Sequence, residues 1–366
     1  MSKSCKRLYP GLFLLGAATA VLVFAAPQTC AEALRQGLAL CGGSLLVSLF
    51  PFLVVSALIM RSGAGEVLGV LLWPVVRCIG LRSRSAGSVL LIGLVGGFAP
   101  AAAAAAEAVR SRELTPQEAS ALLPACICSG PSFVILTVGE QLLGSRTAGV
   151  CLFAAQVLAG WLTAALLCRV RGIPEPLPVP PAAAQAEPPP ALDAILAQAA
   201  VTYLKLCGFV LYFRLLAAGC GLLLPAALAP FPAMLLEVCS GCDYAARTGL
   251  WASGLCCAAL SVQGASVLLQ VRTLCPPEVS FKPLLWGRVL HLPLSLAIFT
   301  LLLPEQEAEV FSTLPARVIL MRRLPPDCAV LLLVGCSFAV CQLTNLLLQR
   351  DFQETSPGNL DSSRLL

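Results

Sequence analysis

The residues best suited to chemistry in this chain stand where polar or small groups interrupt long apolar runs. Ser129-Gly130-Pro131-Ser132 breaks the stretch 126–140, CICSGPSFVILTVGE. Where a helix resumes after such a break, its free N–H groups and the positive end of its dipole can receive an anion such as a carboxylate. The alternative is a proline-kinked helix whose serines bond back to its own carbonyls. Gly96, Gly97 and Pro100 interrupt the stretch 93–110, GLVGGFAPAAAAAAEAVR, and offer backbone alone. They would serve either close approach of a substrate or tight packing of small residues between helices. Glu237 lies in an apolar run ahead of Ser240 and Gly241. A carboxylate at membrane depth is costly and points to a coupling ion, a proton relay or a substrate contact; otherwise it marks a helix end in water beside Asp243 and Arg247. Glu107 and Glu140 raise the same alternatives, each close to a polar loop. Ser261, Gln263, Ser266 and Gln270 share one helical stretch, with Ser266 and Gln270 four residues apart on one face. Uncharged donors and acceptors there suit a polar substrate or hydrogen bonds between helices.

Other chemistries find little support. Cys126-x-Cys128 and Cys239-x-x-Cys242 have metal-like or redox-like spacing, but His291 is the one histidine and no second CxxC completes a four-ligand set. Most of the 18 cysteines sit inside apolar runs and read as small buried hydrophobes. His291 reads as structural or interfacial. There is no GxxxxGK[ST] phosphate loop and no constellation for covalent catalysis, so neither a cofactor, a metal nor an enzymatic activity is expected.

The elements that position these residues follow from composition. Of the 366 residues, 58% are hydrophobic and 12% charged, and the mean hydropathy is +0.87. A soluble domain carries roughly 25% charged residues, so the chain reads as an all-α polytopic membrane protein. Its net charge of +5 is spread thinly between apolar runs, which gives no footing for nucleic acid; the partners expected are the lipid bilayer and a small-molecule substrate, with self-association into a homo-oligomer left open.

In order, 1–34 holds an N-terminal membrane helix behind Lys3, Lys6 and Arg7. A span near 37–60 is kinked at Phe50-Pro51, and 64–81 reads as an amphipathic helix in the interface. Thr115 followed by Pro116 is a good helix start. The helix from there breaks at Ser129-Gly130-Pro131 and resumes, a pattern able to form a re-entrant hairpin. A plain span covers 147–170. Residues 172–192 form a Pro/Ala-rich linker, dividing a first half (35–171) from a second (193–303). The second half has spans near 194–224, 249–274 and 281–303, with a short element at 230–247. A helix near 328–348 and a polar tail close the chain (304–366). The stretches from Gly96 and from Ala259 share an order: a small or polar break, a helix, Val-Arg, then a loop with proline. Weak symmetry of this kind and paired broken helices are what repeat-built transporters show.

At these motifs the chain resembles the sporulation integral membrane proteins of the YlbJ (SpoVV) type, which carry nucleoside-recognition gate domains and are similar in design to concentrative nucleoside transporters. The likeness rests on SLFPFLVVSALIMRSGAGEVLGVLLWPVVR (48–77), on GLVGGFAP through LTPQEASALLPACICSGPSFVILTVG, and on MLLEVCSGC with ALSVQGASVLLQV and FKPLLWGRVLH. It implies two gate-type repeats with broken helices or re-entrant hairpins. It further implies a transporter in a cell membrane of a spore-forming bacterium, the outer forespore membrane, moving dipicolinate from mother cell towards forespore. The rival expectations are an ion-coupled nucleoside transporter and a membrane scaffold for spore assembly.

Overall fold

The structure is a computed structural model, and it describes residues 10–62, 64–172, 192–225 and 228–303. The basic N-terminal flank, the body of the Pro/Ala linker, and the expected helix near 328–348 with its tail lie outside the described residues. Among the described residues every regular element is helical. Five helical stretches are long and apolar enough to cross a membrane: Pro27–Arg61, Arg146–Val170, Leu192–Leu223, Ala252–Leu274 and Lys282–Leu302. The protein is an integral membrane protein.

The first of these stretches comprises α2 (Pro27–Gly42) and α3 (Ser44–Arg61), preceded by α1 (Pro10–Ala25). The expected interfacial helix at 64–81 is two short helices, α4 (Gly65–Gly69) and α5 (Trp73–Ile79). Glycine governs their docking: a methyl carbon on Gly87 would lie 2.1 Å from the Gly69 carbonyl oxygen.

Next come α6 (Ser85–Gly96) and α7 (Phe98–Arg110), which fold into a hairpin. The sequence reads as a break within one crossing helix, yet the chain reverses at Gly97, where φ is +84° and ψ −167°. The two arms lie side by side because they are lined with small residues. A methyl on Gly93 would meet the Ala101 Cβ at 3.1 Å, and most of the alanine run is buried. The feet of the hairpin meet as well, the Ser83 hydroxyl donating to the Glu113 carbonyl at 3.0 Å.

The following segment behaves in the opposite way. Here α8 (Pro116–Cys126) starts with a capping box, Thr115 accepting from the Glu118 N–H while the Glu118 carboxylate accepts from the Thr115 N–H. Helix geometry is lost over 127–130 and resumes as a π-helical segment, Ser132–Leu142. The two pieces lie end to end along α9 (Arg146–Arg171). Gly149 packs on Gly139, and Gly160 packs on the backbone of Pro124 and Ala125. These contacts are about 16 Å apart along α9 at 1.5 Å per residue. The stretch 116–142, whose sequence is able to form a hairpin, is an interrupted helix, and the chain folds back on itself at 85–110 instead.

The same order recurs in the second half. Helix α10 (Leu192–Leu223) is followed by a shorter hairpin, α11 (Pro230–Leu236) and α12 (Val238–Ala246), reversing at Glu237. An interrupted helix comes next, α13 (Ala252–Val262) and α14 (Gly264–Leu274), broken at Gln263, and α15 (Lys282–Leu302) ends the described chain. The two sets run in opposite directions. The α6–α7 feet lie at the end where Glu107 pairs with Arg61 and the Ser280 N–H meets the Ser120 hydroxyl. The α11–α12 feet lie at the other end, where Asp243 pairs with Arg214. The two reversals fall at Gly97 and Glu237, and the two interruptions at 127–130 and Gln263. The sequence comparison set the Gly96 stretch, which folds as the first hairpin, against the stretch from Ala259, which enters the second interrupted helix.

Candidate functional site

Each hairpin tip rests on the interruption of the helix that follows it. A methyl on Gly97 would lie 2.7 Å from the Gly130 nitrogen, and one on Gly264 2.8 Å from the Glu237 nitrogen. Only glycine permits backbones to approach this closely. Glu237 is buried and uses both carboxylate oxygens to cap α12, accepting from the Cys239 N–H at 2.8 Å and the Ser240 N–H at 2.6 Å. It is at a helix end, but not in water.

Three cavities stand in file along α10. The middle one is bounded by Ser129, Gly130, Phe98 and Phe133 from the first half, Glu237, Cys239, Val267 and Gln270 from the second, Leu45 and Leu49 of α3, and Tyr203 to Val210 of α10. Its volume is only about 30 Å³, room for a water or two. One turn further along α10, around Arg214 and Ala218, lies a polar cavity of about 390 Å³ reaching Ser240, Asp243 and Gln36. Towards the start of α10, around Gln198 and Thr202, lies another of about 310 Å³ bordered by Arg61, Glu107, Ser56 and Leu274. The two larger cavities thus lie on either side of the interruptions, and the smallest lies between the interruptions themselves.

Of the residues singled out by sequence, Ser129, Gly130, Glu237 and Gln270 line the middle cavity, and Gly97 abuts it through Gly130. Ser266 accepts from the Gln270 amide at 2.9 Å, so it holds Gln270 in place. Ser240 belongs to the 390 Å³ cavity. Gly96 and Pro100 pack against each other behind the tip, and Ser132 opens the π-helical segment half-exposed. Ser261 is drawn into a network instead: its hydroxyl meets Gln156 Nε2 at 3.1 Å, the Cys257 carbonyl at 2.8 Å and the Ser295 hydroxyl. His291 Nε2 pairs with the Gln156 carbonyl at 3.0 Å. These bonds tie α9, α13 and α15 together. Glu107 sits at a cavity mouth between Arg61 and Arg110, and Glu140 is exposed.

Gln263 is the most unusual residue at the site. It adopts φ +64°, ψ −13°, is fully buried, and neither its amide oxygen nor its nitrogen has a protein partner. A left-handed non-glycine residue costs roughly 1–2 kcal/mol, and an unpaired buried polar group costs a similar amount again. Ser129 Oγ and Gln270 Oε1 are likewise buried without partners. Native structures tolerate few such groups, and these three residues stand at or near the two interruptions, while others, such as Thr163 and Arg214, lie elsewhere.

Sequence reasoning passed over Arg288, in the middle of apolar α15. Its guanidinium is 2% exposed and donates to the Ile127 carbonyl and, at 3.3 Å, to the Ser261 carbonyl. These carbonyls belong to the C-terminal ends of α8 and α13, each carrying roughly half a negative charge. One guanidinium therefore balances two helix ends, one from each half. A lone arginine inside an apolar span is itself a functional signal, and that signal was available in the sequence.

No family model matches the chain, and no solved structure matches it. Among curated proteins it is 30% identical over 172 residues to the sporulation integral membrane protein YlbJ of Bacillus subtilis (strain 168). That match takes in 47% of this chain and 41% of the relative.

Proposed function

We propose that this protein is a membrane transporter acting in sporulation, moving a small anionic or polar metabolite by alternating access. The single observation that carries the reading is the file of three cavities along α10, pinched where two hairpin tips rest on two interrupted helices. In this reading α6–α7 and α11–α12 are re-entrant hairpins entering from opposite faces, and the halves are inverted gate-type repeats. Inverted repeats with substrate sites at interrupted helices near the midplane are the design of many secondary transporters. The narrow middle cavity is then the closed state, and outward movement of one hairpin at a time would widen it towards one end.

Dipicolinate, the cargo implied by the family resemblance, is the first candidate. Helix N-termini past both breaks favour an anion, whereas Glu237 has its charge engaged on the α12 N–H groups. Transport would involve no covalent step, its energy coming from a gradient or from consumption of cargo on the far side. Among the described residues Arg61, Arg82, Arg84, Arg110, Arg112, Arg169, Arg272 and Lys282 gather at one end, against Arg35, Arg146 and Arg247 at the other. The positive-inside tendency makes the first end cytoplasmic, in the mother cell if the protein sits in the outer forespore membrane.

Uptake of labelled dipicolinate set against labelled uridine, with and without sodium or proton gradients, tests this reading against an ion-coupled nucleoside transporter. Transport of neither by active protein, with sporulation rescued by variants blocked at the middle cavity, would favour a scaffold.

A further inference from the structure

The 390 Å³ cavity between α2, α10 and α12 contains a buried cation whose charge is poorly matched. Arg214 is 7% exposed. Its Nη2 donates to the neutral Gln36 amide oxygen at 2.8 Å and lies 3.5 Å from Asp243. Asp243 is held more closely by Arg247, at 2.8 Å. Glu32, the other carboxylate on this cavity, pairs with Arg35 at 2.8 Å. Nη1 of Arg214 has no protein partner, nor does the hydroxyl of Ser240, which is 1% exposed and borders the same cavity. A buried guanidinium is stable when its donors meet an anion in good geometry; here the nearest carboxylate is shared and distant.

We propose that this cavity is a capture site for a small organic carboxylate, taken by the free Nη1 of Arg214 and the Ser240 hydroxyl. Its volume falls within the range of small-ligand pockets. Both residues line the cavity while these two atoms are themselves buried, so binding requires the side chains to turn them towards it. Ser240 is the third residue of α12, whose hairpin tip is Glu237. An anion seated here therefore rests against the element that closes the middle cavity. The site's place in a transport cycle rests on the transporter reading, but its binding does not require transport.

The test is binding of labelled dipicolinate, with its neutral diamide as control, to purified full-length protein in detergent. The variants are Arg214→Gln, Arg214→Lys and Asp243→Asn. The site predicts binding of the dicarboxylate over the diamide, a loss of at least tenfold in Arg214→Gln, and partial recovery in Arg214→Lys, which keeps the charge but not the fork. Asp243→Asn removes the competing carboxylate and should tighten binding several-fold. If Arg214 and Asp243 form a purely structural pair, both substitutions weaken binding together, and that result overturns the proposal. So does wild-type protein that binds neither probe at millimolar concentration, or the two equally. Uptake of uridine by protein that does not bind the dicarboxylate would overturn the capture site while leaving the transporter reading intact.

Discussion

Gly97 and Gly130 meet backbone to backbone, so close that a methyl on Gly97 would fall 2.7 Å from the Gly130 nitrogen and 2.9 Å from its Cα. The hairpin tip and the helix interruption are thereby one packed unit. Gly97 cannot gain a side chain without moving Gly130, whereas a methyl on Gly130 would press only lightly on the Gly96 carbonyl oxygen, at 3.3 Å. Gly97→Ala adds this clash to a φ of +84° and should cost on the order of 2–4 kcal/mol. Gly144→Ala also has a positive φ, +67°, but open space around it; it should cost only about 1 kcal/mol. Thermal unfolding in detergent would separate the two, and equal losses would mean that the tip contact contributes nothing.

Gln263 combines a left-handed backbone with an unpartnered buried amide. Gln263→Gly relieves the left-handed backbone and removes two unpaired buried amide atoms. Stability should rise by about 1 kcal/mol while uptake falls at least tenfold. A variant that is both more stable and fully active would show the amide to be idle.

Arg288→Ala leaves two helix-end carbonyls without their donor, in different halves of the molecule. The expected loss is about 2–5 kcal/mol, seen as a lowered unfolding temperature, with added guanidinium ion restoring part of it. A melting curve that coincides with wild type would remove the charge-balancing role.

How much of this was legible in the sequence differs from residue to residue. The helix start at Thr115-Pro116 and the Ser129-Gly130-Pro131 break were readable because local chemistry specifies them: a side-chain cap in one case, a missing N–H in the other. The Glu118 half of the capping box emerged only in the structure. The reversal at Gly97 was not, since a double glycine can kink a helix or turn it back. The choice is made by the close fit of Gly93 on Ala101, a tertiary contact. Glu237 carries no glycine or proline, and its reversal depends on Gly264 packing against the Leu236–Glu237 backbone and on its own side chain capping α12. Arg288 was visible but was lost within the apolar run of α15. Ser261 looked like a binding residue for the same reason that it serves as a network residue: a hydroxyl facing inward suits either partner.

Glu237→Gln keeps one amide oxygen where two carboxylate oxygens now accept. A loss of about 1 kcal/mol is expected from the weakened cap, with binding of an anionic cargo retained. If Glu237 also carries the coupling proton, gradient-driven uptake stops while exchange of cargo across the membrane continues; comparing the two assays in one variant decides this.

The most direct measurement is flux of labelled dipicolinate into proteoliposomes containing wild-type protein or Ser129→Leu, each matched for amount and unfolding temperature. Ser129 borders the middle cavity with a buried, unpartnered hydroxyl, and leucine there fills a space of about 30 Å³. The account predicts saturable wild-type uptake reduced at least a hundredfold in the variant. Undiminished flux through Ser129→Leu would contradict a pathway that passes between the two interruptions.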